Sequence, residues 1–409
     1  MTDSPTRALQ RDQLKRLSVL IAIACVDMLG SAIVFPQIPL YAVALGATPE
    51  VVGLILSAFS AAQLLTSPLW GRLSDRTGRR PALLAGLLAG AAGFIIFAFA
   101  NSIWLLLLSR LIQGAGGGTT GVTQAYVADT VPPSNRAQAL GWLSAATNLG
   151  VMLGPVVGSL TFNLGHYMPG LIAAALCLIN AGFAWKWLPE SKPALEPGQQ
   201  PAPRKPVWHS AWMVVRHPRG LVPRMIWIYS AAMLGFFAMT SILALYLNLK
   251  FGVNSTNIGY VFLYVGGLSV LMRSLLLGPI VHWLGEPRML RIGTILLTLG
   301  LFVYPLAHTW WALAPIMALM PIGTALVFPA TTALMSHASE KRELGTTLGV
   351  AQTFAGIARV AAPLIAGFAF QRFGPEWPFV VAGTIVALVG VLAFRLDVPA
   401  HGLRDSEAT

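Results

Sequence analysis

Along this chain the polar positions are few and clustered, and the apolar positions between them form unbroken runs, not alternating or one-sided stripes. A helix needs a run of about 20 apolar residues to cross a hydrocarbon layer about 30 Å thick. Such runs recur at roughly 17–44, 50–70, 81–99, 104–127, 137–163 and 168–188, then at 224–249, 256–280, 289–307, 310–333, 345–371 and 377–395. No stretch alternates with period two, which excludes a strand barrel. The pattern predicts an all-α membrane protein with twelve transmembrane helices.

The longest interruption, "PESKPALEPGQQPAPRKP" at 189–206, is polar and proline-rich, as linkers are. The predicted divisions are an N-terminal segment 1–16, a six-helix bundle 17–188, a linker 189–222, a second bundle 223–396 and a tail 397–409. In the linker, "VWHSAWMVVRHP" at 207–218 fits a short interfacial helix with Trp208 and Trp212 toward lipid and Arg216 toward water. The halves echo each other. Gly71 and Gly278 are 207 residues apart, as are Gly78 and Gly285, while Gly141 and Gly349, and Pro155 and Pro363, are 208 apart. Two pseudo-symmetric six-helix bundles with a site near the midplane are a transporter layout.

Composition agrees: of 409 residues, 56% are hydrophobic and only 10% charged, too few charges to cover a soluble surface. The net charge of +12 does not point to nucleic acid, because the basic residues sit in loops where orientation explains them. They cluster at Arg7, Arg11, Lys15 and Arg16, at Arg72, Arg76, Arg79 and Arg80, in the linker, and at Arg288, Arg291, Lys341 and Arg342. The opposite loops hold only Lys250 and Arg372, so the positive-inside rule puts both termini, the linker and the tail in the cytoplasm. Cys25 and Cys177 lie in apolar helices as packing residues, no metal or disulfide spacing occurs, and the first 16 residues carry no cleavable signal pattern. No cofactor or metal is expected.

A few polar residues break the apolar runs. Asp27 is the only acid away from the ends of any predicted span, roughly 15 Å from the inner end of the first. An ionised carboxylate is costly there unless paired, so the group is a candidate proton carrier. Gly30, Pro36 and Pro39 are expected to break and bend the outer part of that helix, as transporters do near their sites. In "SRLIQGAGGGTTG", Arg110 lies roughly 10 Å below the outer boundary. One reading makes it functional; the other holds it on backbone carbonyls, or on Asp27, for packing. The glycines at 114, 116, 117, 118 and 121 signal close packing, as do Gly150, Gly154 and Gly158 beside Pro155, four apart on one face. Arg273 is near enough to an inner boundary to reach headgroups, whereas Arg359, roughly 21 Å in, is not. After the second span, "GRLSDRTGRRP" puts four arginines, Asp75 and two glycines in one turn. Orientation explains the arginines but not the acid. Asp129 is positioned to pair with these arginines.

This last stretch resembles the cytoplasmic signature of the major facilitator superfamily, with Gly71, Asp75, Gly78, Arg79 and Arg80 falling on it and Arg76 beside them. The resemblance implies the major facilitator fold and a cytoplasmic gating role for these residues and Asp129. The second-half counterpart "GPIVHWLGEPR" has His282 where Asp75 maps, so the latch it implies is one-sided. Arg110 resembles the family's helix-4 motif, associated with proton transfer. Gly150, Gly154, Pro155 and Gly158 are similar to the antiporter signature of the drug/proton branch, and the order Asp27, Gly30, Pro36, Pro39 resembles helix 1 of tetracycline/proton antiporters and their multidrug relatives. Tetracycline exporters carry an acid in helix 3, where this chain reads "LLAGLLAGAAGFIIFAFA", which argues against tetracycline itself.

The combined expectation is a monomeric, proton-coupled exporter of small amphipathic compounds in a bacterial inner membrane, working by alternating access. Asp27 and Arg110 would couple protons, and Gln37, Tyr41, Gln124, Asn148, Phe236, Tyr264, Gln352 and Arg359 would line the substrate cavity. Export of an anionic amphiphile, such as a lysolipid or glycolipid, is the alternative suggested by two buried arginines facing one acid. An intramembrane enzyme is remote, since no paired acids, HExxH motif or nucleophile with a base occurs, and a non-transporting receptor would leave the motifs without a purpose.

Overall fold

The computed structural model describes residues 5–132, 135–191, 207–218, 220–339 and 343–394. Among these there are no strands, as expected of a chain that must satisfy its backbone within each segment when in lipid. The first half forms α1 (Pro5–Val34), α2 (Gln37–Ala44), α3 (Pro49–Thr77), α4 (Arg79–Ala98), α5 (Ile103–Gly116), α6 (Thr119–Thr130), α7 (Arg136–Phe162) and α8 (Met168–Trp187). The remainder forms α9 (Val207–Arg216), α10 (Leu221–Phe251), α11 (Ile258–Leu271), α12 (Leu277–Val303), α13 (Trp310–Ala338), α14 (Leu344–Phe373) and α15 (Trp377–Phe394).

Ten segments of the described chain are long and apolar enough to cross a membrane. Two local events separate this count from twelve. The fourth predicted span is broken at Gly117 and Gly118 into α5 and α6, each too short to span alone. The eighth and ninth run together as Ile258–Leu306, through a π-turn at Met272–Leu276 and a kink at Gly285, whose φ is +70°. Gly78, its counterpart 207 residues earlier, also has positive φ, +101°, so the duplicated turns share a conformation that only glycine adopts easily. One expectation fails: Gly30 lies within unbroken α1, packed 3.6 Å (as a Cβ would be) from the Ala173 carbonyl oxygen. The break comes later, at Phe35 and Pro36, and Pro39 is tolerated in the first turn of α2.

By packing, the chain divides into a unit drawn from Met1–Arg204, Thr240–Val270 and Arg359–Pro375, and a unit drawn from Lys205–Met239, Leu271–Ala358 and Glu376–Thr409. In the first, α1 lies against α7 and α8, α4 against α5 and α8, and α3 against α5. Leu20, Ile23, Leu83, Leu87, Val122 and Tyr126 form its core. Leu65, Trp104, Leu178 and Ile179 point outward, as lipid-facing side chains do. In the second, α12 packs on α13 and α15, with Tyr304 stacked on Phe379 at 4.8 Å. The predicted interfacial helix is α9, with Trp212 and Arg216 exposed; residues 192–206 of the linker, Lys341, Arg342 and the side chain of Trp208 lie outside the described residues.

Candidate functional site

The break between α5 and α6 frees backbone carbonyls inside an apolar layer, and three side chains of α3 take them up. Trp70 donates from Nε1 to the Ala115 oxygen, Thr66 Oγ1 donates to the same oxygen at 3.2 Å, and Gln63 Nε2 donates to the Gly117 oxygen at 3.0 Å. Glycine is required here. A Cβ at Gly114 would enter the Phe59 backbone, one at Gly118 the Trp70 side chain, and one at Gly116 would stand 2.9 Å from the Ala89 Cβ. The result is a new helix start at Thr119 within the membrane region, and Thr119 Oγ1 donates to Asp27 Oδ2 at 3.0 Å. Asp27 therefore sits beside the positive end of the α6 dipole.

Arg110 forms a separate group. It is 4% exposed, donates from Nη1 to Gln113 Oε1, and lies with its guanidinium carbon 4.4 Å from the centre of the Phe59 ring. Among the described residues its Nε and the Gln113 amide nitrogen have no partner. The ion pair with Asp27, one way in which Arg110 could be held for packing, is not formed: Asp27 has Thr119 and Arg110 has Gln113.

The turn after α3 is a closed charge cluster. Arg79 donates from Nη1 to Asp75 Oδ1 at 2.9 Å and to Ser74 Oγ at 2.8 Å, and from Nε to Asp129 Oδ2 at 2.8 Å. Arg76 is exposed, and Gly71 continues α3 without a break. Sequence reasoning missed Glu190, which reads as linker. Its carboxylate accepts from the backbone N–H of Arg79 at 2.7 Å and of Arg80 at 3.0 Å, an anionic cap on α4. Gly78 is fitted to it twice, by its positive φ and because a Cβ would lie 2.5 Å from Glu190 Oε2. Arg80 also donates to the Trp185 oxygen, and Tyr126 donates to the Pro189 oxygen at 2.8 Å, so the end of α8 is tied to the same turn. Glu190→Ala leaves two helix-end donors without their anion, and we expect destabilisation of about 1–3 kcal/mol. A thermal unfolding midpoint unchanged in detergent would show that the cap contributes nothing.

The three glycines of α7 meet the backbone of α1. A Cβ at Gly150 would enter the Cys25 carbonyl, one at Gly158 the Ile33 carbonyl, and one at Gly154 would lie 2.5 Å from the Ala32 Cβ. The carbonyl of Pro155 in turn faces Gly259 of α11, whose N–H donates to Ser159 Oγ at 2.8 Å. Further contacts of this kind close the same end of the first unit, remote from the Gly78 turn. Gly53 of α3 abuts the Pro363 carbonyl of α14, Gly367 abuts that of Pro49, Ser57 Oγ donates to the Val360 oxygen at 2.7 Å, and Gln37 Nε2 donates to the Ser255 oxygen at 2.9 Å.

The predicted cavity residues are scattered. Gln37 is buried in that closure. Tyr41 hydrogen-bonds the Ala100 oxygen, meets Phe97 edge-on, and lines a recess of about 490 Å³ with Asn101, His166 and Tyr167. Gln124 and Tyr264 are exposed, and Asn148 and Arg359 are half-buried, in the first unit. In the second, Phe236 lies edge-on to Phe237 and Gln352 donates to the Tyr229 hydroxyl at 3.3 Å. Among the described residues, no group of three or more His, Cys, Asp or Glu side chains could hold a metal ion.

Comparison with known proteins bears on the fold and these motifs together. The chain is 25% identical over 362 residues to the tetracycline resistance protein, class B, of Escherichia coli, covering 88% of this chain and 89% of that protein. It is 27% identical over 387 residues to multidrug resistance protein 1 of Bacillus subtilis (strain 168), covering 94% and 97%. The crystal structure of the human organic anion transporter MFSD10 (TETRAN) superposes with a TM-score of 0.69 at 23% identity, over 93% of this chain and 99% of that one. The model of the Major Facilitator Superfamily matches residues 20–307 and 274–409, nearly the whole length. Having the fold, the glycine-tied turn and this end-to-end match, the chain belongs to the major facilitator superfamily.

Proposed function

We propose that this membrane protein is a drug/proton antiporter, exporting small amphipathic compounds by alternating access. Its relatives include a tetracycline resistance protein and a multidrug resistance protein matched over nearly their whole lengths, which favours export over the other readings. The observation that carries proton coupling is Asp27, a carboxyl group in the middle of the Leu17–Ala44 span whose hydrogen-bond partner is a neutral hydroxyl at a broken helix, not a cation. Such a group can be charged or neutral without breaking an ion pair. In the proposed cycle it takes a proton from the outer side as substrate leaves, and gives it up inside as the next substrate is accepted. Each inward proton releases about 2.3 kcal/mol per 100 mV of membrane potential. Arg110, buried and held by Gln113, keeps positive potential in the same bundle and assists proton release. The charge cluster of Asp75, Arg79, Asp129 and Glu190 braces the cytoplasmic end.

In this proposal the protein acts as a monomer in the bacterial plasma membrane with both termini inside, an orientation that the distribution of basic loops supports. The test is proton release from the detergent-solubilised protein on adding each of a panel of amphipathic cations, ethidium among them. Release that saturates with compound concentration is expected. No release with any compound, together with no uphill ethidium movement in liposomes under a proton gradient, would overturn the reading.

A further inference from the structure

Arg273, which is near enough to an inner boundary to reach headgroups, stands on the π-turn Met272–Leu276, a one-residue insertion that re-aims side chains and recurs at functional sites. The side chain is half-buried, its Nε is shielded from solvent, and among the described residues no acceptor meets it. The π-turn packs against α13, and Tyr229 of α10 brings its phenol to the same helix. That phenol is 7% exposed, accepts from Gln352 Nε2 at 3.3 Å, and meets the Phe328 ring edge-on at 5.4 Å. A hydroxyl that accepts retains its own proton to donate. Residues of the second unit on four elements, α10, the π-turn, α13 and α14, thus gather a guanidinium and a phenolic donor, neither with an acceptor among the described residues, beside an aromatic ring. Gln352 is exposed, so the cluster is reachable. A cation in an apolar region without an anion is costly, and a ligand that supplies one recovers that cost on binding.

We infer that Arg273, Tyr229, Gln352 and Phe328 form a subsite for an oxyanion joined to an aromatic ring, an aromatic carboxylate in the simplest case. The guanidinium forks onto the two oxygens, the Tyr229 hydroxyl donates a further hydrogen bond, Gln352 orients that hydroxyl, and Phe328 takes the ring. This deepens the export reading on which it rests: among amphipathic compounds it selects those carrying an acidic group, zwitterions included.

The experiment measures binding of 1-naphthoate, 1-naphthylmethylammonium and phosphatidylglycerol to the full-length protein in neutral detergent, with ethidium transport by the same preparation in liposomes. Wild type should bind naphthoate, and Arg273→Gln should weaken it about ten- to a hundredfold. Gln352→Glu should weaken naphthoate while sparing the cation, which keeps the test valid if Arg273→Gln does not fold; Arg216→Gln, on exposed α9, should do neither. Naphthoate affinity unchanged in Arg273→Gln and Gln352→Glu, or no naphthoate binding, overturns the assignment. So does Arg273-dependent binding of phosphatidylglycerol alone, which makes the ligand a lipid headgroup. Ethidium transport with no naphthoate binding sinks the subsite only, whereas Arg273-dependent binding with no transport sinks the export reading only.

Discussion

Asp27→Asn is expected to abolish proton-driven uphill transport while leaving the chain folded. Asparagine has the shape of aspartate, and its Oδ1 can still accept from Thr119 Oγ1, so the contact between α1 and the start of α6 survives. What it cannot do is gain or lose a proton. With one proton exchanged per singly charged cation such as ethidium, the exchange moves no net charge, so coupling sustains about a tenfold concentration ratio per tenfold proton gradient, and the variant should sustain none. Downhill exchange of labelled substrate should continue, which separates lost coupling from lost binding. The measurement is ethidium accumulation in liposomes under an imposed gradient; uphill movement at the wild-type rate would remove Asp27 from the coupling step.

Gly53→Leu should reduce transport at least tenfold without unfolding the bundle. Gly53 faces the Pro363 carbonyl directly, with no room for a Cβ, and Gly367 faces Pro49 with a Cβ-to-oxygen distance of only 2.5 Å. Both neighbours are backbone, so neither can rotate away as a side chain would. A leucine holds α3 and α14 apart and raises the closed arrangement by about 1–3 kcal/mol or more, roughly five- to more than a hundredfold in population. If this end must close and open in each cycle, turnover falls while substrate binding and thermal stability stay near normal. A variant that transports at full rate would show that the contact is incidental to the cycle.

The motifs legible in the chain were those whose chemistry is local. Gly78 was readable because a turn between two helices needs positive φ, and the cluster of Asp75 and Arg79 because the two are one helical turn apart. Asp129 as an arginine partner was also foreseeable. Glu190 was not, because its partners are backbone N–H groups 110 and 111 residues away and its own segment reads as linker. The glycines at 114, 116 and 118 were correctly read as packing, but that their packing includes a helix break aimed at Asp27 depends on Trp70, Thr66 and Gln63 of α3.

The sequence by itself determined that the chain is helical, membrane-embedded and built from repeated halves, because lipid leaves few ways to satisfy a backbone and shows them as long apolar runs. It also singled out Asp27 and Arg110, since charge in such runs stands out against its surroundings. Only the tertiary structure decided what each charge touches: Thr119 for the acid, Gln113 and Phe59 for the arginine, and neither for the other. The reason is geometric. Depth along a helix follows from counting residues, but the direction a side chain faces, and the neighbour it meets there, is set by where glycines let distant helices touch.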